Sequence, residues 1–246
     1  MSYPFNRFLK AFKALFLSQY SLMLEYRAEI VLWAISGLLP LIILSLWLGD
    51  KIENSIFDNR SQLISYYFSV FIVRQFTAVW VMVTFEEDNL KGKLAPYLLN
   101  PISPFWRYFS SHLAEQFTRL PFVVLMITTV GFVFKDSIVI PKFHSVFIFC
   151  IILFLSFLLR FMIHWTFAIF CLWNDKASSI ERLLLIPYLF ISGLVLPIDS
   201  FPDIIKKFAM MTPFPYIISL PANILIGSNN NLLSEFFILL IWILFF

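Results

Sequence analysis

With 60% hydrophobic and only 13% charged side chains among 246 residues, the chain is too apolar for a soluble domain and reads as an all-α integral membrane protein. Its formal charge of +3 is small and the basic residues are scattered, which excludes nucleic acid as a partner. Cys150 and Cys171 fall in one apolar run, several helical turns apart, and cannot bond each other within that helix.

Residues 2–17 place Phe5, Phe8, Leu9, Phe12, Leu15 and Phe16 on one side of a helix and Arg7, Lys10 and Lys13 on the other. That pattern predicts a helix lying in the membrane interface, within an N-terminal stretch 1–28. No small-residue cleavage site follows, so the first span itself is expected to act as the insertion signal. About 20 apolar residues cross a bilayer, and six spans are predicted. The first is 30–49, carrying Pro40, followed by a polar loop at 50–62. The second, 63–85, returns the chain to the side of its N-terminus. A third helix is predicted from Pro104 or Phe105 to Phe134, with His112, Glu115, Gln116 and Arg119 making its first half polar enough to begin in water or headgroups. After a tight loop at 135–142, residues 143–173 form an overlong fourth helix that must tilt or protrude.

The polar stretch 174–182 leads to 183–196, which is short for a span. Pro197, Pro202, Pro213, Pro215 and Pro221 then divide 197–231 into short pieces, predicting re-entrant or interfacial helices whose free backbone groups must be covered by protein. The last span, 232–246, is short and has no basic tail, which predicts a natural protein extending beyond Phe246. Lys and Arg are richer on the side holding Arg7, Lys10, Lys13, Lys91, Lys93 and Arg107, so the positive-inside rule places both termini and the segment between spans two and three in the cytoplasm. No internal repeat supports a transporter built from inverted halves.

That segment, 84–107, interrupts the spans for about two dozen residues. The cluster Glu86, Glu87, Asp88 cannot lie in hydrocarbon. Leu90, Leu94, Leu98 and Leu99 recur at helical spacing, Gly92 breaks the pattern, and Pro101 and Pro104 stop it. A short amphipathic helix is expected, its leucines offered to a groove and its acids to a basic rim on another protein.

Enzyme chemistry has little support. Gly92-Lys93 runs into Leu94 and has no glycine at the spacing of a phosphate loop, and no metal-protease, nucleophile-elbow or paired-cysteine motif occurs. His112, His144 and His164 are far apart in sequence. The informative charges are Arg74 and Arg160, near the middles of spans two and four, with His164 one turn beyond Arg160 on the same face. A midplane arginine is expensive and faces a partner, a cavity or a pathway, and no Asp or Glu is expected at a comparable depth. These three residues are candidates for a cavity that accepts an anionic group. Pairing with carbonyls, water or a second subunit is the other reading. On the third helix Glu115 and Arg119 are spaced for an intrahelical ion pair.

Taken in order, several stretches resemble a known family. They are Tyr26-Arg27-Ala28-Glu29 at the first span; Glu86, Glu87, Gly92, Leu94, Leu98, Leu99 and Pro101 in the central segment; and Gly193, Pro197, Phe201, Pro202, Pro213 and Gly227 near the end. The chain resembles the membrane subunit of an ABC transporter, a type-2 export-type permease of the ABC-2 family transporter protein subfamily. The resemblance implies one permease domain over 1–246, with six spans, a cytoplasmic coupling helix between spans two and three, and short extracytoplasmic helices in 197–231 between spans five and six. It further implies a non-catalytic subunit in a bacterial inner membrane, paired with a second permease copy or sister subunit. Separate ATPase subunits would carry ATP and Mg and would dock on Glu86, Glu87, Gly92, Leu94, Leu98 and Pro101, and no cofactor is expected in this chain. The sequence departs from the pattern in the lysines Lys91 and Lys93 flanking the glycine and in its short final span. The alternative is a membrane enzyme acting on lipid headgroups through Arg74, Arg160 and His164.

Overall fold

The computed structural model describes residues 5–25, 27–49, 60–135, 138, 141–174, 176–228 and 231–246. Tyr26, most of the expected loop 50–62 and parts of the loop 135–142 lie outside them. The described residues are helical with no strand. Four helical stretches are long and apolar enough to cross a membrane: Ile30–Leu48, Arg60–Leu90, Pro104–Val133 and Phe143–Trp173.

The N-terminal helix is longer than its amphipathic signal, α1 running over Phe5–Glu25. It lies along the first half of α7 (Pro104–Val133). Phe8 and Phe12 meet Trp106 edge-on at 5.0 and 5.9 Å, and Phe16 meets Phe117 at 5.7 Å. The aromatic face expected to enter lipid is thus partly spent on protein, while Leu9, Leu17, Leu22 and Leu24 stay exposed.

Span one is not a single helix. It breaks into α2 (Arg27–Ser36) and α3 (Leu39–Gly49). Pro40 has no N–H to give the Ser36 carbonyl, which loosens the turn before it. A side chain from the next span then enters: Gln75 Nε2 donates to the Ala34 carbonyl at 3.0 Å. Gly37 makes room for it, since a Cβ there would stand 2.3 Å from Gln75 Nε2.

Span two breaks as well, a feature with no glycine or proline to announce it. It divides into α4 (Arg60–Thr77) and α5 (Val81–Leu90). In an unbroken helix the Trp80 N–H would bond the Phe76 carbonyl. Here the Trp80 N–H donates to His112 Nε2 at 2.9 Å, and Gln116 Nε2 donates to the Phe76 carbonyl at 2.7 Å. Two α7 side chains one turn apart therefore stand in for one backbone bond, which satisfies groups that hydrocarbon could not.

The remaining elements are α6 (Leu94–Leu98), α8 (Phe143–Ile169), α9 (Cys171–Asn174), α10 (Ala177–Ile191), α11 (Asp203–Met210), α12 (Ser219–Ile226) and α13 (Leu232–Phe245). Helix α7 starts at Pro104, as its first-turn proline predicts. The expected boundary of the fifth apolar stretch is corrected: α10 begins at Ala177 rather than 183, absorbing polar residues read as loop.

Helix α12 packs inside the bundle against α4 and α8. The irregular backbone around it is covered as the bilayer requires. Tyr66 Oη donates to the Gly193 carbonyl at 2.6 Å and Tyr67 Oη to the Val195 carbonyl at 2.5 Å. Ser156 Oγ donates to the Tyr216 carbonyl at 2.7 Å. Two cores result. One joins α3, α4, α8, α12 and α13 around Tyr67, Val70, Ile152, Ile218 and Leu239. The other joins α5, α6, α7 and α8 around Phe85, Leu94, Phe109 and Phe161, with Trp165 in edge or tilted contact with Phe85, Phe105 and Tyr108.

Candidate functional site

The segment between spans two and three is a turn, a single helical turn and another turn. Helix α5 ends at Leu90, and Gly92 takes the left-handed conformation with φ 69°, open space around it, so the chain reverses there without strain. Helix α6 follows, and Pro101 is exposed on the turn leading to α7. The four leucines do not share one face. Leu94 turns inward and is 5% exposed, whereas Leu98 and Leu99 are 63% and 87% exposed and Leu90 is exposed with them.

Each acid of the cluster has an intramolecular partner. Glu86 accepts from the Ser178 N–H at 2.6 Å and from the Ser178 hydroxyl at 3.2 Å. Ser178 lies in the first turn of α10, where backbone donors have no intrahelical acceptor, so Glu86 caps that helix from another part of the chain. Asp88 accepts from the Tyr108 hydroxyl at 2.8 Å, tying α5 to α7. Glu87 pairs with Lys91 at 2.9 Å in an exposed contact that holds the lysine pKa above its ordinary value. On the other flank Arg107 stacks on the Tyr97 ring at 3.8 Å and donates to its hydroxyl at 3.0 Å.

Arg74 and Arg160 are neighbours. Arg160 donates to the Tyr188 hydroxyl at 2.8 Å with its guanidinium 4.2 Å from that ring's centroid. Arg74 has the same phenol and Arg160 as electrostatic neighbours. His164 is buried beside Arg160, and neither His164 Nδ1 nor Arg160 Nε has a hydrogen-bond partner among the described residues. Neither arginine forms a salt bridge there. Glu181, at the start of α10, is an acid in electrostatic contact with Arg160. Tyr188 and Glu181 had no signal in the sequence, because neither stands at a spacing that relates it to Arg160.

His112 and Glu115 were expected near headgroups and are instead enclosed. The His112 ring accepts at Nε2 from Trp80 and donates at Nδ1 to the Tyr108 carbonyl at 2.8 Å, which fixes the neutral, Nδ1-protonated tautomer. Glu115 and Arg119 form the expected pair at 3.4 Å, with Arg119 buried and Glu115 partly so. Among the described residues no group of three or more His, Cys, Asp or Glu could hold a metal ion.

No curated protein and no solved structure matches the chain. A family model described as "ABC-2 family transporter protein" matches residues 32–246, which covers the break in span one, all of span two, the α5–α6 turn and the α12 region. The chain belongs to the ABC-2 family of transporter proteins and is the membrane permease component of an ABC transporter.

Proposed function

We propose that this permease receives the work of ATP hydrolysis from a separate ATPase subunit at the α5–α6 turn, and uses it to move an amphiphilic or anionic substrate outward. The observation that carries the reading is the exposure of Leu90, Leu98 and Leu99 on a segment whose neighbouring acids are tied to the bundle. Exposed leucines on a polar turn are a cost unless a partner covers them, and the ties through Glu86 and Asp88 give a push on that turn a route into α10 and α7. In this reading the turn lies in the cytoplasm, with Gly92 and Pro101 shaping it and Leu94 anchoring it.

The substrate passes the Arg74, Arg160 and His164 cluster, where two cations neighbour one phenol. An anionic group arriving there would meet two guanidinium charges that form no salt bridge among the described residues. A second permease, as a copy or a sister, completes the path. The test is co-purification of an ATPase with the tagged permease from its native membrane, followed by ATP-dependent transport in vesicles. Capture lost on Leu99→Glu and retained on Leu22→Glu, at an exposed leucine elsewhere, supports the proposal. Chemical turnover of lipid headgroups by the lone chain would replace it with the enzyme reading.

A further inference from the structure

A cavity of about 510 Å³ lies between α1, α2, α5 and α7, and shares no residue with the Arg74 and Arg160 cluster. Exposed Thr84 and Glu87 line it, and so do Trp80, Glu115 and Arg119, so it leads from the end of the bundle that holds the α5–α6 turn to the break in span two. Arg119 is 2% exposed. Four buried polar atoms of these residues have no hydrogen-bond partner among the described residues: Trp80 Nε1, Glu115 Oε1, Arg119 Nε and Arg119 Nη2. The Arg119–Glu115 contact at 3.4 Å brings the charges together without the alignment of a hydrogen bond, which is why both of its atoms remain unsatisfied. Unsatisfied buried groups are costly, and three donors beside one acceptor in one cavity define a complementary ligand.

The charge balance narrows that ligand. Arg119 and Glu115 neutralise each other, so a simple anion would draw on Arg119 at the expense of its partner, and a simple cation would do the reverse. A group presenting anionic oxygens to Arg119 and Trp80 Nε1, and a hydroxyl or ammonium donor to Glu115, satisfies all four atoms without breaking the pair. Trp33, whose ring centroid is 4.6 Å from that of Trp80, adds an aromatic wall for an apolar stem.

We propose that this cavity binds an acidic phosphate group carrying a neighbouring hydroxyl or ammonium donor, the chemistry shared by a phospholipid headgroup and a soluble glycerol phosphate. The site shares no residue with the Arg74 and Arg160 pathway, and it touches the proposed docking segment only through Glu87 at its mouth.

The experiment uses the natural full-length protein in nanodiscs of phosphatidylcholine, whose headgroup lacks a donor, with phosphatidylglycerol titrated in. Retained lipid is counted by native mass spectrometry and indole fluorescence is followed alongside. The wild type should retain phosphatidylglycerol about tenfold over phosphatidylcholine, and Arg119→Gln should erase that preference, the size of a lost charge-assisted contact. Because Arg119→Gln leaves Glu115 alone and can fail to assemble, Trp80→Phe is the second variant: it removes the indole donor while keeping an aromatic ring beside Trp33, and should lower retention about threefold with the fold intact. Competition by soluble glycerol phosphate at similar affinity assigns the site to a soluble ligand, and its failure to compete assigns it to a membrane lipid. Equal retention of both lipids by the wild type overturns the proposal. So does wild-type preference in folded Trp80→Phe together with folded Arg119→Gln, or in folded Trp80→Phe where Arg119→Gln does not assemble.

Discussion

The Glu86 carboxylate, at the end of span two, caps the first turn of α10 through Ser178, which is distant in sequence and adjacent in space. One side chain thus couples the turn proposed to meet the ATPase to a helix carrying Tyr188 of the arginine cluster. Loss of a capping acceptor costs about 1 kcal/mol of local helix stability. Glu86→Ala should therefore speed amide exchange at 178–181 about fivefold while leaving α8 protected. In vesicles the same variant should hydrolyse ATP with its partner yet transport less. Unchanged exchange at Ser178 would remove the cap from the account.

Span two was legible as a span and illegible as a broken one. Between Gln75 and Val83 no glycine or proline marks a stop, and the local pattern reads as continuous helix. What breaks it is on another helix, where His112 and Gln116 supply an acceptor and a donor that replace the Trp80–Phe76 bond. Those residues looked like the wet start of span three because polarity reads the same whether it faces water or an exposed carbonyl. Deleting either side chain should destabilise the bundle by about 1–3 kcal/mol if the freed backbone group stays unpaired, and by less than 1 if it finds a substitute. His112→Leu with Gln116→Leu lets the helix close on itself. The double variant should therefore lose less than the sum of the singles in denaturant unfolding from detergent, and strict additivity would argue that the break persists without its partners.

Three glycines adopt positive φ, and they are not equivalent. Gly92 and Gly227, at φ 69° and 78°, have open space where a Cβ would go. At Gly193, with φ 90°, a Cβ would stand 2.7 Å from the hydroxyl of Tyr66, the tyrosine that bonds its carbonyl, and 3.0 Å from Ser219 Cβ. Alanine at the first two positions adds only the backbone term of about 1 kcal/mol. Gly193→Ala should add to that a clash and a lost hydrogen bond, and should lower thermal stability well beyond the other two. The resemblance singled out Gly193, Gly92 and Gly227 alike; only the packing separates them.

The charges of the central segment illustrate the other limit of reading a sequence. Glu86, Glu87 and Asp88 are visibly too polar for hydrocarbon, which is why the sequence places the segment between two spans. Their partners Ser178, Lys91 and Tyr108 come from three places in the chain, and only Lys91 lies at a spacing that predicts a contact. Arg160 is similar. Its depth was readable from the run around it, while Tyr188, which it both stacks on and donates to, was not.

That pairing makes a prediction about the pathway. Tyr188→Phe keeps the ring beneath Arg160 and removes the hydroxyl that accepts from it. If the cluster serves substrate, Arg74→Gln and Arg160→Gln should each reduce transport of an anionic amphiphile at least tenfold with assembly intact, and Tyr188→Phe should reduce it less, since the cations remain. Lysine at 160 should rescue poorly, because a point charge neither stacks as Arg does nor reaches the phenol with a planar donor. Full transport by Arg74→Gln in a properly assembled complex would leave the arginines a packing role.

Leu94, Leu98 and Leu99 stand within six residues and should respond in opposite ways. Leu94 packs in the same buried cluster as Phe85 and Tyr108, so Leu94→Ala leaves a cavity and should cost about 2–5 kcal/mol of stability, less where lipid or side chains collapse into it. Leu98 and Leu99 touch little in this chain, so alanine there should leave thermal stability within about 0.5 kcal/mol of wild type. Their loss should appear only when a partner is present. Leu98→Glu and Leu99→Glu should abolish ATPase capture because a charge would be buried against an apolar groove, while the isolated permease stays folded. A Leu99→Glu permease that captures its ATPase normally would show that these leucines are not covered by it, and the exposed leucines of the turn would then have to meet lipid or a second permease instead.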